Sequence, residues 1–215
     1  MSGSYPTSPA FQSVNMKINT PGLSTKSLSG KTRRVNMGHS FYSFSAKYPP
    51  LTRNELGPVI GFLSQQLGSQ YSFQIVLPEI SYSKIGTQVP LVTVSGGTDD
   101  LGSGVTGYAA GKTAVGVTSL SGNILRAGDV FKFNHATDSD KFTKVYMCAV
   151  SCITPVGSTT NTLYFSGGLV DAIPNGTTLT INAVPFTVIL ENNLQQFEQG
   201  IGGIANLSLD LTEVW

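Results

Sequence analysis

Three glycines in the middle of the chain match the letter pattern of a dinucleotide-binding loop. Gly102, Gly104 and Gly107 give the spacing G-x-G-x-x-G, which in nucleotide-binding proteins lies between a buried strand and a helix that receives the pyrophosphate. Here no apolar stripe at helical spacing follows the motif. The nearby run 111–113, Gly-Lys-Thr, lacks the first glycine of a phosphate-binding loop. We therefore expect a glycine-rich loop or hairpin here and no nucleotide.

The remaining ionisable residues do not form a recognisable catalytic or metal-binding motif. The chain has two histidines, His39 and His135, and no G-x-S-x-G run. Three pairs of carboxylates could cleave a glycosidic bond, but each lies beside polar turn or surface residues. These pairs are Asp99 with Asp100, Asp138 with Asp140, and Asp210 with Glu213. Asp138 and Asp140 could also hold calcium, but their run lacks the glycine and the terminal glutamate of a calcium loop. The sequence therefore predicts no enzyme, no metal site and no cofactor.

The two cysteines are too far apart to pair if the chain around them is extended. Cys148 and Cys152 lie in the run KVYMCAVSC, which has the pattern of a strand. Four residues of extended chain span roughly 13 Å, more than a disulfide can bridge. No histidine or further cysteine lies close by in the sequence to complete a metal site. We expect two buried thiols.

Charged residues are few and unevenly distributed. They make up 12% of the 215 residues and leave a net charge of +1, which argues against a nucleic-acid binder held by bulk electrostatics. Residues 1–48 hold cations and no acid, whereas the chain after Lys144 holds acids and no cation. Either the two ends neutralise each other within one fold, or basic and acidic edges meet between copies of the protein.

The densest basic cluster is formed by Lys31, Arg33 and Arg34. These side chains could contact phosphates, but no aromatic side chain that would stack on bases adjoins them. We expect a strand that faces solvent or an interface. Positive charge on such a strand also protects its edge from aggregation.

The elements that position these residues are mainly strands. Apolar and polar residues alternate over 14–18, 41–48, 71–77 and 207–211, which predicts half-buried β-strands. One helix is predicted over about 52–67, since Thr52 and Glu55 fit a capping box and apolar residues follow at helical spacing. Pro58 is expected to distort its first turn or to shift its start towards Asn54.

Changes in composition and in the apolar–polar pattern divide the chain into two parts. We predict one β domain with a single helix from residues 1–84 plus 184–215, and a small inserted β domain from residues 85–183. The similar runs YSFQIVLP and VPFTVIL are interpreted as the strands on which the chain leaves and re-enters the first domain. No apolar run approaches the ~20 residues of a membrane-spanning helix, and the start lacks a signal-peptide pattern. We expect a soluble protein made in the cytosol.

A particular order of segments runs along nearly the whole chain. It is SLSGKTRRVNMGHSFYSFSAKYPPLTRNELGPVIGFLSQQLGSQYSFQIVLP, then LRAGDVFKF and TKVYMCAV, then VPFTVIL and LSLDLTEVW. This order resembles tail proteins of tailed bacterial viruses, in particular the distal tail protein that begins the baseplate. The resemblance lies in the order of the segments and in their residue patterns, and no catalytic or metal motif contributes to it.

The resemblance implies a fold and an architectural function. In that family a β-sandwich or split barrel with one packed helix forms a ring of six copies, whose sheets continue around a central channel. Many relatives carry a peripheral small barrel, which the insertion at 85–183 matches. The strand pair 23–37 and the strand 39–48 match the ribbon that forms the tube, with Gly30 at its turn. The resemblance implies a virion protein that joins the tail tube to hub and fibre proteins, with DNA only passing through the channel and no membrane contact.

The resemblance and the charge distribution together predict an assembly surface, in which the basic first third of one copy faces the acidic last segment of the next. Its candidate residues are Lys31, Arg33, Arg34, Asp210 and Glu213. Two alternatives remain open. The chain could be a major tail tube or connector protein, or the insertion could be a carbohydrate-binding module that recognises a host. The aromatic side chains available for stacking on sugars are Tyr146, Tyr164 and Phe165.

Overall fold

The computed structural model describes residues 3–36, 38–83, 92–119, 123–135, 141–153, 160–192, 197–199 and 204–215. It is mainly β with one short helix and a curled, half-barrel sheet, which confirms the predicted class at the level of a mainly β, sandwich-like protein. The helix, α1, spans Arg53–Gln65. The strands are β1 Ser13–Asn19, β2 Gly22–Lys26, β3 Thr32–Asn36, β4 Phe41–Lys47, β5 Phe73–Ile75, β6 Val92–Val94, β7 Asp99–Asp100, β8 Thr106–Tyr108, β9 Ala114–Ser119, β10 Asn123–Leu125, β11 Val130–Asn134, β12 Val145–Met147, β13 Cys152–Ile153, β14 Thr160–Tyr164, β15 Ile173–Pro174, β16 Thr178–Thr180, β17 Phe186–Leu190, β18 Phe197–Gln199 and β19 Ala205–Glu213.

The first sheet has the strand order β1-β4-β19-β17-β5, with β18 paired to β19. Strands β4 and β19 alternate between buried and outward-facing residues, as the period-two pattern predicts. The buried side chains of β4, β19 and α1 share one hydrophobic cluster, so the helix covers one face of this sheet. The strands β5 and β17, which we interpreted as the exit and re-entry strands, pair with each other in antiparallel fashion.

The helix begins and ends close to its predicted limits. The carboxylate of Glu55 accepts hydrogen bonds from the backbone N–H of Thr52 at 2.9 Å and from its hydroxyl at 2.8 Å, which confirms the predicted capping interaction. Pro58 lies inside the helix, which starts at Arg53. The helix ends two residues early because Leu67 adopts a left-handed backbone, with φ of 50°. Among the described residues no helix is long and apolar enough to cross a membrane.

The second sheet has the order β12-β11-β16-β6-β9-β14 and curls until its two outer strands meet. An isolated antiparallel β-bridge joins the backbone of Cys148, just after β12, to that of Phe165, just after β14. The N–H of Ala149 also donates to the carbonyl of Tyr164 at 2.8 Å. Four aromatic rings pack inside this sheet. They are Phe131, Phe133, Tyr146 and Phe165.

Two sequence expectations about this region are wrong. Tyr146 and Phe165 are core residues and cannot stack on a sugar, which leaves Tyr164 as the exposed ring of the three candidates. The run around the cysteines is not one strand, since the chain bends between Cys148 and Cys152. Both thiols are nevertheless free and buried, as expected, and burial raises the pKa of each to about 11.

Three smaller sheets complete the fold: β15-β8-β7, β10-β13 and β2-β3. The glycine motif forms the β7–β8 hairpin, which confirms the predicted hairpin. Gly102 and Gly104 have φ of 91° and 76°, a left-handed conformation suited to glycine. A Cβ at Gly107 would lie 2.2 Å from the carbonyl oxygen of Ile173, so close backbone packing excludes a larger residue there.

Candidate assembly surface

The most unusual surface feature is the β2–β3 hairpin. Gly22 pairs with Asn36 and Lys26 with Thr32, and the turn between the strands places Gly30 at φ of 81°, at the turn that the sequence predicts. Among the strands that the structure describes, β2 and β3 pair only with each other. Residues 22–35 are exposed throughout. The hairpin therefore projects from the protein without packing against its cores.

Such a hairpin lacks the support that normally keeps two strands folded. An isolated two-stranded hairpin is at best marginally stable in water, because it has no third strand and no buried face. Here the exposed residues include three large apolar ones, and two of these, Leu23 and Val35, lie directly opposite each other. The third, Leu28, stands fully exposed at the turn. This combination is typical of a surface that becomes covered by another molecule.

The predicted basic residues all lie on this hairpin. Lys31 precedes β3, while Arg33 pairs with Thr25 and Arg34 with Ser24. Because neighbouring residues of a strand point to opposite faces, each face of the hairpin carries one guanidinium group. None of the three takes part in an ion pair within the described part of the chain. Their charge is thus available to an acidic partner.

The strand that leads into the hairpin is an open edge of the first sheet. β1 pairs with β4 on one side only, and no strand among the described residues pairs with its other side. β1 ends at Asn19 and β2 begins at Gly22, so the free edge of β1 continues into the hairpin. Unpaired backbone groups along such an edge can accept a strand from another chain.

Asp210 is exposed, as an interface residue must be, but it lies away from the basic cluster. It faces outward on the central strand β19, opposite Ser45 of β4. No ion pair joins Asp210 to Lys31, Arg33 or Arg34 among the described residues. The basic and acidic parts are therefore not neutralised by each other through these residues within one chain.

Glu213 corrects our prediction, because it is buried inside the chain. Its carboxylate forms an ion pair with the buried ammonium group of Lys144. It also accepts hydrogen bonds from the backbone N–H groups of Tyr42, at 3.2 Å, and Val145, at 2.9 Å. The Lys144 ammonium lies 4.5 Å from the centre of the Trp215 ring. Glu213 is consequently unavailable to a second copy.

Opposing effects act on this buried pair. Burial raises the pKa of Glu213 and lowers the pKa of Lys144, because both charged forms lose water. Their mutual attraction opposes both shifts, and the two N–H donors also oppose the rise in the pKa of Glu213. Sequence analysis missed Lys144 altogether. The pattern of β19 indicates that Glu213 is buried. Leu207, Leu209 and Leu211 alternate with polar residues, and this alternation places position 213 on the same buried face.

The other residues considered for chemistry have structural roles where they are described. The carboxylate of Asp99 pairs with Lys112 at 3.3 Å on the surface. The Nδ1 atom of His39 lies 2.8 Å from the carbonyl oxygen of Gly167, and the ring of His135 packs on Phe142. Asp138 and Asp140 lie outside the described residues. Within the described part, no three His, Cys, Asp or Glu residues cluster as metal ligands would.

Comparison with protein-family models and with curated proteins finds no match for this sequence. The functional argument therefore depends on the geometry above: an exposed basic hairpin, an open sheet edge beside it, and a buried ion pair between the two sheets.

Proposed function

We propose that this chain is a structural virion protein that assembles into a ring, as a distal tail or baseplate component of a tailed bacterial virus. The ring would join the tail tube to hub and fibre proteins, with six copies as the resemblance implies. DNA would only pass through its channel. The main supporting observation is the β2–β3 hairpin, whose backbone pairs with no other described strand and whose apolar side chains are exposed.

The hairpin supports assembly for a physical reason. Residues 22–35 of the hairpin bury no side chain, so the free energy that orders them has to come from contacts outside the isolated chain. The adjacent open edge of β1 also leaves backbone hydrogen-bonding groups unpaired. A ring in which each copy covers its neighbour's hairpin and edge satisfies both requirements.

An enzyme or a carbohydrate-binding module is supported less well. Two of the three rings that we considered for sugar stacking are buried. Of the ionisable groups that we considered for catalysis, Asp99 is held in a surface pair, His39 contacts a backbone carbonyl and Glu213 is in the buried pair with Lys144, while Asp210 is exposed. The tail tube alternative uses the same hairpin and edge, and it differs in stacking rings into tubes.

The test is the assembly state of the purified protein at micromolar concentration. Light scattering with size-exclusion chromatography and negative-stain imaging should show closed rings with a central hole. Long tubes would favour the tail tube alternative, and a monomer at every concentration would refute the proposal.

Charge reversal provides the matched variants. Arg33→Glu with Arg34→Glu should weaken assembly and leave the monomer folded, because both side chains are exposed. The control is Arg53→Glu with Arg126→Glu, which makes the same charge change at exposed sites outside the hairpin and should assemble normally. Rings of the hairpin variant that are as stable as those of the control at physiological salt would contradict the role of the hairpin.

A further inference from the structure

An apolar groove of about 440 Å³ lies at the β5 end of the first sheet. Its walls are rich in proline and aromatic residues, including Tyr5, Pro6, Phe11, Pro78, Tyr82 and Pro185. None of the described residues that line it carries a charge. Glu79, which follows Pro78, is exposed beside it. The groove therefore suits an apolar side chain accompanied by positive charge.

The floor of the groove includes a stretch of unpaired strand edge. The first residues of the chain cover the edge of β5 as far as Gln74, whose N–H donates to Gly3 at 2.9 Å and whose carbonyl accepts from Tyr5 at 2.7 Å. Alternate residues of a strand direct their backbone groups to the same edge, so Val76 faces the groove as Gln74 faces Tyr5. No hydrogen bond among the described residues uses the N–H or the carbonyl of Val76. An incoming strand could pair there.

The hairpin has complementary properties and lies at the other end of the same sheet. The sheet order runs from β1, which leads into the hairpin, to β5, which borders the groove. The hairpin offers the exposed apolar side chain of Leu28 at its turn and unpaired backbone along β2 and β3. Its four cations, Lys26, Lys31, Arg33 and Arg34, are not accompanied by an acid. This charge is complementary to that of Glu79 beside the uncharged groove.

We propose that the hairpin of one copy occupies the proline-rich groove of the next copy. Leu28 then lies among the proline and aromatic side chains, and a hairpin strand pairs with the open edge at Val76. Five-residue strands extend about 17 Å. This inference rests on the proposed ring and identifies the acceptor of the hairpin within it.

The geometry also explains why such a contact would repeat. Donor and acceptor are different surfaces of the chain, so the contact is head-to-tail and leaves a free donor and a free acceptor on each pair of molecules. Repetition of a head-to-tail contact closes a ring when the rotation between copies permits it. The same contact covers the exposed hairpin of one copy and the apolar groove of the next.

Disulfide cross-linking between two variants of the full chain, each with one added surface cysteine, tests this pairing. Leu28→Cys and Tyr82→Cys change exposed residues on the hairpin and on the groove wall. The native thiols of Cys148 and Cys152 are buried, and their raised pKa of about 11 slows their oxidation. An equimolar mixture of the variants is oxidised mildly, and covalent dimers are identified by mass after one variant has been isotopically labelled.

We expect the mixed Leu28→Cys and Tyr82→Cys dimer to exceed either homodimer by about tenfold. Val150→Cys replaces Tyr82→Cys in the control, because Val150 is similarly exposed and lies outside the groove. Rings that assemble without preferential linking of positions 28 and 82 over 28 and 150 would overturn this pairing and leave the proposed ring standing. A protein that remains monomeric at all concentrations would refute both.

Discussion

The buried pair of Lys144 and Glu213 gives the most quantitative prediction. Lys144 precedes β12 of the second sheet, and Glu213 ends β19 of the first. Glu213→Gln keeps the shape of the side chain and removes its charge, so the Lys144 ammonium is left buried without a counter-ion. Lys144→Met keeps most of the aliphatic stem and leaves the carboxylate with its two backbone donors, Tyr42 and Val145.

The expected magnitude follows from the depth of burial. The side chain of Lys144 is 5% exposed and that of Glu213 is 0% exposed. Removal of one member of a buried pair typically costs about 3–5 kcal/mol, because the other charge remains uncompensated. For a chain of this size each kcal/mol lowers the melting temperature by about 2–4 °C. Each single variant should therefore melt about 6–20 °C lower.

A double-mutant cycle isolates the pair from other effects. The double variant Lys144→Met with Glu213→Gln leaves no buried charge at this site, so it should be more stable than the sum of the two single effects predicts, by about 1–3 kcal/mol. Urea unfolding measures each free energy of unfolding. Circular dichroism follows the strands, while fluorescence of Trp215, the only tryptophan, follows the junction, since its ring lies against Lys144.

Additive single effects, within about 0.5 kcal/mol, would refute this reasoning, because independent sites add within that margin. Equal slopes of free energy against urea concentration in all four proteins are the control, since a changed slope would indicate a changed denatured state.

Two further predictions concern the backbone and the helix cap. Gly61→Ala should stabilise the protein by about 0.5–1 kcal/mol, because Gly61 is exposed inside α1 with nothing within 4 Å of an added Cβ. Gly107→Ala should lower the melting temperature, because its Cβ would meet the carbonyl of Ile173. Urea unfolding of both variants measures the two changes in the free energy of unfolding. Hydrogen bonds from Thr52 hold the pKa of Glu55 below its usual 4.5, so the stability they provide is present above that value and is lost as the pH falls through the lower, folded-state pKa. The difference in melting temperature between the unmodified protein and Glu55→Gln should accordingly shrink below pH 4.5, and a constant difference down to pH 2 would contradict the cap.

Local patterns in the sequence predicted those elements whose determinants are local. The capping residues and the apolar spacing of α1 lie within 16 residues of each other, and the alternation in β4 and β19 requires only that one face be buried. The bend between Cys148 and Cys152 has a non-local origin. There the N–H of Cys148 donates to the carbonyl of Asp129 and the N–H of Gly128 donates to the carbonyl of Cys148, so a neighbouring turn fixes the path of the chain.

Four of the five candidate interface residues, Lys31, Arg33, Arg34 and Asp210, are exposed, whereas Glu213 is buried. Charge type alone indicated an acidic partner surface, and an acidic residue near the end of an amphipathic strand is usually solvated. The alternation of β19 instead places Glu213 on the buried face. A glutamate is stable there only if a cation pairs with it. That cation comes from Lys144, which is 69 residues away in sequence. No local pattern could identify this pairing.

The Glu213 carboxylate does more than neutralise a lysine, because its two N–H donors belong to different sheets. Tyr42 lies on β4 and Val145 on β12, so one carboxylate bonds to the backbone of both. An apolar pair of equal volume could restore stability but would leave both N–H groups unpaired. β4 is also the next strand after the β2–β3 hairpin along the chain. The strand that follows the proposed assembly hairpin is therefore the one that the Glu213 carboxylate connects to the second sheet. If the ring forms as proposed, the orientation of the second sheet around it is determined at this junction.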